Sequence, residues 1–116
     1  MSCFWQGLAR ITELNGKAPK EVLTYLKDNN AICSGVKWQG ELLSKKQLHE
    51  NYESIAQYNH NVNKGHLTSS CDPFLILCSF LFHINIIFIY NKNKIVITND
   101  NSKETIHFQA NEQHFS

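Results

Sequence analysis

At 116 residues the chain has room for one domain with a modest core. Its hydrophobic fraction of 42% is ordinary for a folded protein, and a net charge of +1 without a basic, aromatic-laced cluster excludes a nucleic-acid partner held by electrostatics. The N-terminus shows no basic segment followed by an apolar core, so the expectation is a cytoplasmic protein whose cysteines, Cys3, Cys33, Cys71 and Cys78, stay reduced.

The first predicted element is a helix over residues 4–14. Phe4, Leu8 and Ile11 recur at helical spacing, with Trp5 and Leu14 as further members of the buried face. Asn15-Gly16 ends it, Gly16 suiting a left-handed C-terminal position. Pro19 fits a first helical position, and Val22, Leu23 and Leu26 continue a short amphipathic helix to Asp28, stopped by Asn29-Asn30. Residues 31–43 read as irregular, with Gly35 and Gly40 flanking Trp38, an aromatic suited to covering the core. Ser44-Lys45-Lys46-Gln47 has the form of a capping box, and Leu48, Tyr52, Ile55 and Ala56 give the third helix one apolar face.

Residues 59–71 are polar and aperiodic, a long loop that suits either a substrate-facing segment or a solvated connection. Asp72-Pro73 is a helix start, Asp as N-cap and Pro at the first helical position. Phe74 to Phe82 is apolar nearly all round and predicts a buried helix. Ile84 to Tyr90, β-branched and aromatic, predicts a central strand. Turns at Asn91–Lys94 and Asn99–Ser102 separate it from strands at Ile95–Thr98 and Thr105–Gln109, and a last strand begins at Gln113-His114-Phe115.

The run Pro73 to Tyr90 has only 18 residues, broken by Ser79, His83 and Asn85, and changes from helix-favouring to strand-favouring at His83, so a membrane span is not expected. The expected fold class is α+β: a single domain over residues 1–116, helices in the first two thirds, then a small antiparallel meander.

No Cys-x-x-Cys occurs, and the spacings among His66, Cys71, Cys78 and His83 match no common metal site, so no metal is expected. Cys33, Cys71 and Cys78 read as inert, Cys78 within the buried helix. His83 reads as a group bonding at the helix end, His107 as solvent-facing, and His49, His60 and His66 as residues of polar stretches.

The marked positions are at the two ends. Cys3 stands just ahead of the first helix, where the dipole and unpaired N–H groups favour thiolate over thiol. His114 offers an imidazole that can take and return a proton. A thiolate, a base within reach and backbone N–H groups aimed at the oxyanion are what a Cys–His hydrolase needs.

At these residues the chain resembles the OTU (ovarian tumour) cysteine peptidases. Ser2-Cys3-Phe4-Trp5-Gln6-Gly7-Leu8 is similar to the family's nucleophile motif, a Cys followed by two large apolar residues and a helix. Thr105-Ile106-His107-Phe108-Gln109-Ala110-Asn111-Glu112-Gln113-His114-Phe115 is similar to the closing motif, an alternating strand followed after a turn by His and an aromatic. Asp72 to Tyr90 resembles the penultimate helix and central strand, whereas residues 18–70 match only in having helices and a variable loop. The short length looks more like a viral member than a cellular one. The family's motif reads Asp-Gly-x-Cys, and its Asp-Gly is absent here, only Met1 and Ser2 preceding Cys3; both motifs sit at the chain's extremities, as in a trimmed piece of something longer.

The resemblance implies a papain-like, OTU-like fold and a thiol protease with Cys3 as nucleophile and His114 as base. It implies a ubiquitin or ubiquitin-like (iso)peptide, or a viral polyprotein junction, as substrate, no cofactor, and a monomer. Ser116, Asn111 and the C-terminal carboxylate are alternatives for the group that orients the imidazole. The alternative function is a catalytically impaired module of the same fold that binds ubiquitin or a host protein.

Overall fold

The computed structural model describes residue 8 and residues 10–58, 72–90 and 92–110. They form an α+β arrangement of three α-helices and a five-stranded mixed sheet. The elements are α1 (Pro19–Asp28), β1 (Val36–Trp38), β2 (Glu41–Leu42), α2 (Lys45–Gln57), α3 (Asp72–Phe82), β3 (Ile84–Tyr90), β4 (Asn93–Asn99) and β5 (Glu104–Ala110).

The expected first helix falls mostly on residues 1–7 and 9, outside the described set. Its end is a 3-10 turn, Thr12–Leu14, and Leu8, Ile11 and Leu14 are fully buried at three-residue spacing, the repeat of that tighter helix. Gly16 follows at φ +87. The Glu21 carboxylate accepts the Ala18 N–H at 2.8 Å, which satisfies one of the first-turn donors of α1. At its other end Asn29 donates to Tyr25 O, and Asn30 reaches across to Tyr52 O at 3.0 Å, fastening α1 to α2. Ser44 and Gln47 form the reciprocal capping box of α2, with bonds of 3.1 and 2.8 Å.

Helix α3 opens with Asp72 as its first helical residue and Pro73 as its second, one position earlier than a cap at Asp72 would give. Phe74, Leu75, Ile76, Leu77, Cys78, Ser79 and Phe82 are all buried, as the unbroken apolar run requires. One residue, His83, turns the chain from α3 into β3, and it does so in the left-handed region at φ +55.

Strand order is β2-β1-β4-β3-β5. Along β3, Ile84, Ile86 and Phe88 are buried while Asn85, Ile87 and Ile89 are reached by solvent, the period-two pattern of a sheet sealed on one face. Ile97 and Val36 join the sealed face from β4 and β1, and Phe108 joins it from β5. Trp38 packs against this core, as its placement near Gly40 suggests.

Two expectations need correction. Residues 31–43 are not irregular throughout: β1 and β2 form a hairpin joined by Gln39 (φ 55) and Gly40 (φ +85). Two positive φ values make the turn whose twist suits a two-residue hairpin, and Gln-Gly fills the role usually taken by Asn-Gly. The Gln39 amide then bonds to the β4 backbone, accepting from Val96 N at 2.8 Å and donating to Lys94 O at 3.1 Å.

The sheet is also not an antiparallel meander. The β1–β2 hairpin occupies the outer edge of β4, so β5 is placed on the far side of β3 and runs parallel to it. The short β4–β5 connection crosses the start of β3, where Lys103 N donates to His83 O at 2.8 Å. The strand expected from Gln113 and the loop at residues 59–71 lie outside the described residues.

Candidate functional site

Cys3 and His114 lie outside the described residues, as do Asn111, Ser116, Cys71, His60 and His66. The structure describes the segments from which the two ends depart. Leu8, Ile11 and Leu14 anchor the N-terminal segment in the core. Farther along it, the Glu13 carboxylate meets Lys103 Nζ at 3.4 Å, just before β5 begins. The Arg10 guanidinium lies 5.2 Å from the centre of the Phe108 ring, near the end of β5. Going backward from Glu13 to Arg10 therefore follows β5 forward from Lys103 to Phe108.

β5 ends level with β3: Ala110 is the register partner of Tyr90. Because the strands are parallel, the chain beyond Ala110 leaves at the same end of the sheet at which β3 stops.

The described thiols offer no nucleophile. Cys33 and Cys78 are free and buried. Burial pushes the Cys33 thiol up to about 12, and it raises Cys78 still further, with neighbouring Cys33 adding to the effect. A neutral thiol of this kind is a small apolar filler, consistent with the inert role read from the sequence.

At the opposite end of β3 the chain builds a buried polar latch. Ser79 Oγ donates to Ile84 O at 2.7 Å, and Asn99 Nδ2 donates to Ser79 O at 3.0 Å. Asn85 Oδ1 accepts from Asn99 N at 2.9 Å, while Asn99 Oδ1 accepts from Asn101 N at 3.0 Å. Three elements, α3, β3 and β4, are thus pinned to one another.

Beside the latch is a half-open cleft of about 370 Å³. Phe80 and Leu81 of α3, both half-buried, supply its apolar surface. His83, Asp100 and Ser34 stand around it, all exposed. The Asp100 carboxylate is paired with Lys37 Nζ at a loose 3.7 Å. The sequence reading missed this cleft, because its walls come from residues 34, 80–83 and 99–101, which meet only through the β4–β5 crossing.

The remaining histidines are ordinary. His107 is exposed on β5, as alternation requires, and His49 lies 3.9 Å from Glu53 along the exposed face of α2. Among the described residues no group of three or more His, Cys, Asp or Glu side chains is placed to hold a metal ion. Among them, too, no helix is long and apolar enough to cross a membrane. No known family, no curated protein and no solved structure matches the chain.

Proposed function

We propose that the chain is a thiol peptidase of OTU-like, papain-type architecture, with Cys3 as nucleophile and His114 as general base. The substrate is the (iso)peptide bond of ubiquitin or a ubiquitin-like protein, or a viral polyprotein junction. One observation carries the reading: the N-terminal segment tracks β5 from Lys103 to Phe108, toward the end of the strand from which the C-terminal segment departs. Cys3 is seven positions before Arg10 and His114 is six after Phe108. At up to about 3.3 Å per residue, chain segments of these lengths are long enough for the thiol and the imidazole to meet near that end of the sheet.

The chemistry follows from the pair. His114 takes the Cys3 proton, and the thiolate attacks the carbonyl carbon. Backbone N–H groups stabilise the oxyanion, and the amine leaves with the proton returned by His114. Water, deprotonated by the same imidazole, then cleaves the thioester. A third group, Ser116, Asn111 or the C-terminal carboxylate, holds the other ring nitrogen.

The test is reaction with ubiquitin carrying a C-terminal electrophile, read by intact mass. One adduct per chain is expected, absent in Cys3→Ala, slowed about 10²–10⁴-fold in His114→Ala and retained in Cys33→Ala. An adduct surviving Cys3→Ala, or none on the unaltered chain, overturns the proposal.

A further inference from the structure

We infer that the cleft at the start of β3 is a second binding site, one that takes the basic side chain, lysine or arginine, of a partner polypeptide. It lies on the order of 20 Å from the end of β3 where the two chain ends are proposed to meet, so it is independent of that reading. The volume of about 370 Å³ accommodates a long side chain rather than a whole peptide. Phe80 and Leu81 offer an apolar and aromatic surface for an alkyl stem and its cationic head.

The charge complement comes from Asp100. Its carboxylate is largely solvent-reached, and it already attracts one ammonium group, that of Lys37, at 3.7 Å. That separation is too long for a good hydrogen bond, so the carboxylate oxygens keep acceptor capacity for an incoming cation. The walls are rigid, because Asn99 spends both ends of its amide on Ser79 O and Asn101 N. Room for the partner's backbone lies beside Gly35, where a Cβ would meet nothing within 4 Å. His83 stands on the rim in a left-handed conformation that a side-chain-bearing residue adopts at a cost.

The test uses the full chain, ¹⁵N-labelled and titrated with lysine and arginine blocked as N-acetyl amides. Blocked norleucine and glutamate serve as controls. Shifts at Gly35, His83, Asp100 and Asn101 are expected with the two basic probes alone, at about millimolar affinity. Asp100→Asn weakens binding about tenfold. Lys37→Met, which removes the internal competitor, strengthens it about two- to fivefold. His83→Gly weakens binding while leaving the fold intact, as unchanged shifts away from the cleft will report. Equal response to norleucine, binding that ignores Asp100→Asn, no gain in Lys37→Met, or no shifts at about 10 mM probe overturns the inference.

Discussion

The two ends of β3 are built on different physics. At its start, three buried or half-buried polar side chains, Ser79, Asn85 and Asn99, tie α3, β3 and β4 together, and the neighbouring backbone stores strain at His83. Toward its other end, the guanidinium of Arg10 from the N-terminal segment lies over the Phe108 ring of β5. The first end is fixed by bonds that are costly to break because water cannot replace them. At the second, the contact of Arg10 with Phe108 is of a kind that yields to small changes, while Leu8, Ile11 and Leu14 hold the segment that carries Arg10 in the core. A hydrolase with a thiol on one segment and a base on another needs an end of the second sort, where the reacting groups can adjust to a substrate.

Perturbing the shared middle removes the difference. Phe88→Ala empties the sealed face between the two ends and should cost about 3–5 kcal/mol in urea unfolding, loosening both together. Asn99→Ala acts on the latched end alone. It strands Ser79 O and Asn101 N, and about 1–3 kcal/mol of stability should go, with amide exchange rising at residues 79–85 and 99–101.

Alkaline pH also acts away from the open end. Cys33 and Cys78 are held neutral by burial, so their folded pKa values lie above the ordinary thiol value of 9.0. The stability this brings is whole below pH 9 and is lost as pH rises through about 12, since the unfolded chain sheds those protons first. The loss should be about 1.4 kcal/mol per pH unit per thiol, and Cys33→Ala should flatten it. His83→Gly should have the opposite sign, stabilising by up to about 1 kcal/mol, because glycine takes φ +55 without strain. Arg10→Ala should move stability least, by about 0.5–1 kcal/mol, yet it should slow labelling of Cys3 disproportionately if the segment's course along β5 positions the thiol.

Much of the fold was legible because local signals and burial agreed. The apolar run Phe74–Phe82, the capping box at Ser44 and the β-branched stretch Ile84–Tyr90 each have one reading, and each became the element it announced. The hairpin at residues 36–42 was missed because its strands are three and two residues long, too short for a period to show. Its turn also uses Gln39 where Asn is the familiar signal. The parallel pairing of β5 could not be read from residues 100–103, since a short turn there suits a meander equally well. Only competition from β1 for the edge of β4 decides it. The cleft was illegible for the same reason: Asp100 and Phe80 become neighbours through that crossing. The terminal pair was marked by residue chemistry and motif, and both of its members lie outside the described residues.

The most direct measurement is the titration of the His114 ring, followed by NMR in the unaltered chain and in Cys3→Ala. A sulfur and an imidazole sharing a pocket stabilise each other's charged forms, so removing the thiol should lower the His114 pKa and leave His49 and His107 where they were. Superimposable His114 curves in the two proteins would place the two side chains apart and contradict the proposed catalytic pair.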